Sequence, residues 1–116
     1  MTIQQLIDLC LTLPATYVDY PFGEDSPVMR HRGNKKMFAL IGERHGAIYI
    51  NLKCEPMRAE FLRSVYRSVT PGWHMNKTHW NTVTMGGDVP PDELQAMVEH
   101  SFDLTKPKAK RKPPTA

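Results

Sequence analysis

The sequence predicts an α+β protein, a two-layer sandwich in which an antiparallel five-stranded sheet carries helices on one face, in the order α-β-β-β-α-β-β-α. Three observations lead there. The segment "AIYINLK" (47–53) alternates cleanly, with Ile48, Ile50 and Leu52 on one side and Tyr49, Asn51 and Lys53 on the other, so its strand has one apolar and one polar face. The turn "GNKK" (33–36) sets a Gly-Asn pair between two extended runs, which reads as a β-hairpin. Segments with apolar residues at helical spacing open the chain, interrupt the strands and close the domain.

Taken in order, Thr2 and Gln5 form a capping box, and Ile3, Leu6, Ile7 and Cys10 follow on one stripe until Leu13 and Pro14 stop the first helix. A loop, "ATYVDYPFGEDS" (15–26), leads into the hairpin strands "PVMRHR" (27–32) and "MFALIG" (37–42). After the turn "ERHG" (43–46) comes the alternating strand. The second helix starts near Glu55 with Pro56 in its first turn, where a missing N–H is harmless; Met57, Phe61 and Val65 are expected inward, Arg58 and Arg63 toward solvent. "RSVT" (67–70) and "HWNTVTM" (79–85) read as the last two strands. "GGD" turns the chain into the third helix, "PPDELQAMVEHSF" (90–102), with Leu94, Met97, Val98 and Phe102 on its buried stripe.

A chain of 116 residues, 41% hydrophobic and 23% charged, holds one domain with one core. Cys10 and Cys54 are too far apart to build a zinc pair or a redox motif, and Cys10 lies on an apolar stripe as a structural thiol. The start "MTIQQLIDLC" has no basic n-region, and no run approaches the roughly 18 apolar residues of a membrane span, so a cytoplasmic, non-membrane protein is expected. The formal charge of +3 is misleading about the domain. Lys106, Lys108, Lys110, Arg111 and Lys112 lie in the last eleven residues with no acid among them, which leaves ten basic and twelve acidic residues in the body, about −2. The domain is therefore expected over 1–105, followed at 106–116 by a proline-rich, disordered basic tail. Such a tail adheres to polyanions with strong salt dependence, or serves as a solubilising end.

Four motifs occur in fixed order: "DYPFG" (19–23), "KMFAL" (36–40), "NLKC" (51–54) and "PGWHMNKTHW" (71–80). Through them the chain resembles the YjbR family, also called MmcQ-like, over about residues 1–105. The resemblance implies a two-layer α/β domain similar in topology to type III secretion chaperones, of a kind often labelled DNA-binding by analogy with double-wing folds. It implies no reaction.

The residues themselves point first to nucleic acid. Arg30, Arg32, Lys35 and Lys36 gather at the hairpin tip, where a basic wing can follow a phosphate backbone. Trp73, His74, Lys77, His79 and Trp80 interleave rings with cations, Asn76 can read a base edge, and Lys53 joins them on the polar sheet face. The bland alternatives are a solvated edge that discourages strand pairing, tryptophans that serve as core or lid, and a hydrogen-bonded structural loop in which Gly72 takes a positive φ. Lys77 and His79 add nothing obvious to such a loop, and so mark a binding surface.

A second reading is a protein-interaction module that takes a partner peptide on the open sheet face or an edge strand. A third is an anion-binding protein or enzyme using Asp19, His74 and Lys77, although Asp19 can instead cap a turn while Tyr20, Pro21 and Phe22 close the core. No phosphate loop, nucleophile elbow or dinucleotide fingerprint occurs, and zinc would need more ligands than His74 and His79 supply. The expectation is a non-catalytic monomer without metal or cofactor.

Overall fold

Helix α1 (Ile3–Leu11) begins at the predicted capping box: the Gln5 amide donates to the Thr2 hydroxyl at 3.1 Å, and the Thr2 amide donates to the Gln5 side chain at 2.8 Å. Its stripe buries Leu6, Ile7 and Cys10, and burial pushes the Cys10 thiol up to about 12, so it stays protonated and inert at neutral pH. The computed structural model describes residues 1–108, so the expected tail lies outside the described residues from position 109 onward.

The remaining elements are β1 (Thr16–Asp19), β2 (Val28–His31), β3 (Met37–Arg44), β4 (Ala47–Lys53), α2 (Pro56–Val65), β5 (Val69–Pro71), β6 (Trp80–Thr84) and α3 (Pro91–Thr105). All strand pairs are antiparallel, and the sheet runs β1-β2-β3-β4-β6-β5. The sheet has six strands, not the expected five, because "TYVD" within the predicted first loop pairs with β2 from Thr16↔His31 to Asp19↔Val28. Four residues between turn-forming neighbours carry too little pattern to read as a strand. They become one because the hairpin offers them an open edge.

Residues opposite one another in an antiparallel pair share a face. Met29, Ala39, Ile41, Ile50, Leu52 and Val83 form one such face, and the buried side chains of all three helices join them in a single cluster. The register slips between Met29↔Ala39 and Arg30↔Met37, which makes Phe38 an extra residue, a β-bulge. The bulge lets Phe38 enter the core beside Phe102 of α3, ring centroids 5.7 Å apart, and turns Met37 onto the opposite face with Leu40. His31 is buried between the same two rings, its Nε2 2.7 Å from the Thr105 hydroxyl.

Helix α2 corrects the expected orientation. Met57, Phe61 and Val65 are 82%, 63% and 49% exposed, while Ala59 and Leu62 face the core. The helix packs over β5, a strand of three residues at the sheet edge, so a narrow contact is all that the sheet offers it. Arg63, partly buried next to Leu62, reaches from this helix to the loop described next.

Candidate functional site

The segment 72–79 folds back over the open face of the sheet, and its anchors are built from residues on β4 and β6. Asn51 and Thr82 are cross-strand partners, both buried. The Thr82 hydroxyl donates to the Asn51 side-chain oxygen, accepts from the Trp73 amide at 2.8 Å, and leaves the Asn51 amide to donate to the Trp73 carbonyl at 3.1 Å. Both backbone groups of Trp73 are thus held by two side chains on neighbouring strands. With Trp73 fixed, His74 is forced into the left-handed region at φ +59°, a conformation that costs about 1 kcal/mol or more for a residue with a Cβ.

Further ties close the segment. Gly72 does not take a positive φ as expected; it is needed for close approach, since a Cβ there would lie 2.7 Å from the Trp80 Cβ and 3.0 Å from the Trp80 carbonyl oxygen. The Asn76 side-chain oxygen accepts from the amides of Thr78 and His79 at 2.9 and 3.3 Å. Lys77, expected to be surplus to the loop, donates its amine to the Gly72 carbonyl at 3.0 Å. Arg63 is drawn out of solvent as well. Its guanidinium donates to the Asn81 side chain at 2.7 Å, to the Trp80 carbonyl at 3.3 Å, and to the Lys77 carbonyl.

Between this segment and the 20–26 loop lies a cleft of about 390 Å³. All four motifs that carry the family resemblance contribute to it: Phe22 from the first, Met37 and Leu40 from the second, Asn51 from the third, and Trp73, His74 and Met75 from the fourth. Ser26 and Tyr49 complete the lining. Tyr49 meets Trp73 edge-on at 5.7 Å, and the Arg44 guanidinium sits 4.5 Å over the indole. Burial raises the Tyr49 phenol, only partly opposed by Arg44, so the hydroxyl remains protonated at neutral pH. Phe22, expected to close the core, is 70% exposed and forms one wall.

The basic residues separate into groups. Arg30 is committed to Asp19 at 2.9 Å and to the Lys35 carbonyl at 3.0 Å, and Arg32 lies 5.6 Å over the Tyr17 ring. Lys35 and Lys36 are exposed at the hairpin tip. That tip is docked on the end of α3: Asn34 donates to the Thr105 carbonyl at 2.9 Å, and Gly33 packs so closely on Pro107 that a Cβ would fall 2.7 Å from its ring. As a result Lys36, Lys106 and Lys108 line one depression of about 490 Å³, together with Asp103. Lys53 is half-buried and pairs in register with Trp80, while His79 is exposed and uses its carbonyl to accept from the Cys54 amide at 2.8 Å.

Asp19, offered as half of an acid/base pair, spends its two oxygens on the Tyr20 amide and on Arg30, and is brought to neither His74 nor His79. No group of three or more His, Cys, Asp or Glu suited to a metal occurs among the described residues. The sequence reading placed Trp73 and His74 at the site but missed Phe22, Met37, Leu40, Tyr49 and Arg44. The signal for the first three lay in the motifs themselves, whereas Arg44 reaches Trp73 only through the register of β3 and β4.

Fold and cleft together define a small α+β sandwich protein with a cleft on the sheet face opposite the core. The chain belongs to the YjbR family, whose family model matches residues 11–104. It is similar to the uncharacterized protein YjbR of Escherichia coli strain K12, 30% identical over 115 residues that span 97% of this chain and 96% of that one. It is also similar to the uncharacterized protein YyaQ of Bacillus subtilis, 36% identical over 78% of this chain and 86% of that one. Among solved structures, a Pseudomonas syringae protein superposes with a TM-score of 0.79 at 33% identity, covering 90% of this chain and 99% of its own. The Deinococcus radiodurans protein DR2400 gives the same TM-score and identity over 89% and 77%. No helix among the described residues is long and apolar enough to cross a membrane.

Proposed function

We propose that this protein is a non-catalytic, cytoplasmic nucleic-acid-binding protein. One observation supports the reading above the others: the residues that follow α3 pack on the hairpin tip, so Lys36 comes to line one depression with Lys106 and Lys108, which are far from it in sequence. Lys36, Lys106 and Lys108 share its depression, with Arg32 and Lys35 at the same tip, and the sequence continues with Lys110, Arg111 and Lys112. Displacement of counterions from phosphates by such a strip gives affinity that falls steeply with salt.

The test is DNA affinity of the full chain across a salt series. Wild-type log K should fall linearly with log salt, at about 0.9 per phosphate contacted. The double variant Lys36→Glu, Lys108→Glu should flatten that slope by about 2. An unchanged slope would remove the surface from consideration.

A second reading, a protein-interaction module with the topology of a secretion chaperone, draws support from the exposed stripe of Met57, Phe61 and Val65 on α2. Loss of a co-purifying protein from Phe61→Ser, with DNA affinity intact, would favour it.

A further inference from the structure

We infer that the cleft on the open sheet face holds one unpaired base of a single-stranded nucleic acid, an inference that rests on the nucleic-acid reading above. Lys36 lines the basic depression beside the end of α3, and Met37, the next residue, lines the cleft.

The cleft suits that occupant in size, shape and charge. About 390 Å³ lies in the range of sites for small planar ligands and is far too small for a base pair with its flanking stack. Its lining is rich in rings and thioethers: Phe22, Trp73, His74, Met37 and Met75. Base faces stack on such rings without regard to sequence. Ser26, Tyr49, Asn51 and His74 bring polar groups to the lining, and among the described residues no carboxylate lines the cleft to repel a nucleotide. Trp73 is held at both backbone groups and its indole is flanked by the Arg44 guanidinium at 4.5 Å and the His74 ring at 4.1 Å, so this wall is in place before the ligand arrives. A base inside a duplex is stacked and paired, and extruding it costs a few kcal/mol. The cleft thus selects single strands, while the basic strip accepts either form.

The experiment titrates the full chain with a ten-nucleotide single strand and with the corresponding hairpin duplex at near-physiological salt, following the Trp73 indole N–H by NMR with Trp80 as internal control. Wild type should favour the single strand and shift Trp73. Phe22→Ala removes an exposed wall, and His74→Gly removes the other ring while suiting the positive φ, so neither should disturb the fold. Each should weaken single-strand binding about 10-fold and leave duplex binding and the salt slope unchanged. Equal loss for both ligands, or no loss for either, overturns the cleft inference. If Lys36→Glu, Lys108→Glu weakens binding while the cleft variants do not, the basic surface stands and the cleft falls. If wild type binds neither ligand, both readings fall.

Discussion

Asn51 and Thr82 face one another across β4 and β6, and between them they hold both the amide and the carbonyl of Trp73. The arrangement makes the shape of the cleft a property of the sheet rather than of a loop. Replacing Thr82 with Val keeps the volume but strips the Trp73 amide and the Asn51 oxygen of a partner at once. We expect a loss of about 1–3 kcal/mol in urea unfolding, together with a changed Trp73 indole signal. An unchanged midpoint would mean that the loop is held by other contacts.

Gly72→Ala tests close approach in the same segment. The added methyl meets the Cβ and carbonyl oxygen of Trp80, and Trp80 is paired in the sheet to Lys53, so the obstacle cannot swing aside. Destabilisation of about 1–3 kcal/mol is expected, again by denaturant midpoint. A neutral result would show that the loop, rather than the strand, gives way.

Arg63 joins α2 to the loop through Asn81, Trp80 and Lys77. Arg63→Met leaves the buried Asn81 oxygen without its donor and should cost about 1–3 kcal/mol. Arg63→Lys should not restore it, since a single ammonium cannot reproduce the fork of donors. Full rescue by Lys would reduce the role of Arg63 to its charge.

His31 sets an acid limit to stability. Burial among Phe38 and Phe102 holds its pKa below the ordinary 6.5, so the unfolded chain takes up a proton that the folded chain refuses. Its neutral form contributes fully above pH 6.5, and stability falls as pH drops from 6.5 toward the folded pKa. His100, lowered chiefly by burial, acts in the same window. Thermal melts from pH 7.5 to 5 should show a fall in Tm that is reduced in His31→Phe. An identical acid limb in that variant would assign the effect elsewhere.

The reversed face of α2 also has a direct check. Met57→Ser and Phe61→Ser should change stability by no more than about 0.5 kcal/mol, whereas Leu62→Ala should cost about 2–5 kcal/mol. Large losses from the first pair would show that the stripe is covered in solution.

The elements most legible in the sequence are those whose signals are local. Thr2 and Gln5 cap α1 through neighbours three residues apart, the turn at 32–36 closes the hairpin with Lys35 rather than Gly33 at positive φ, and Ile48, Ile50 and Leu52 alternate along β4. β1 and the face of α2 were not legible, because each depends on what the sheet presents at its edges. The same division runs through the site. Within the motif at 71–80, Trp73 and His74 line the cleft, while Lys77 and Asn76 hold the loop together.

By itself the sequence determined the α+β class, the order of the predicted elements, the single core and the concentration of basic charge at the hairpin and the C-terminus, since composition and periodicity act over a few residues. Only the tertiary structure decided that four separate motifs line one cleft, that the Phe38 bulge turns Met37 into it, and that the hairpin tip receives the C-terminal segment. Those outcomes depend on strand register and on edge packing, and one residue of register is enough to exchange the two faces of a sheet.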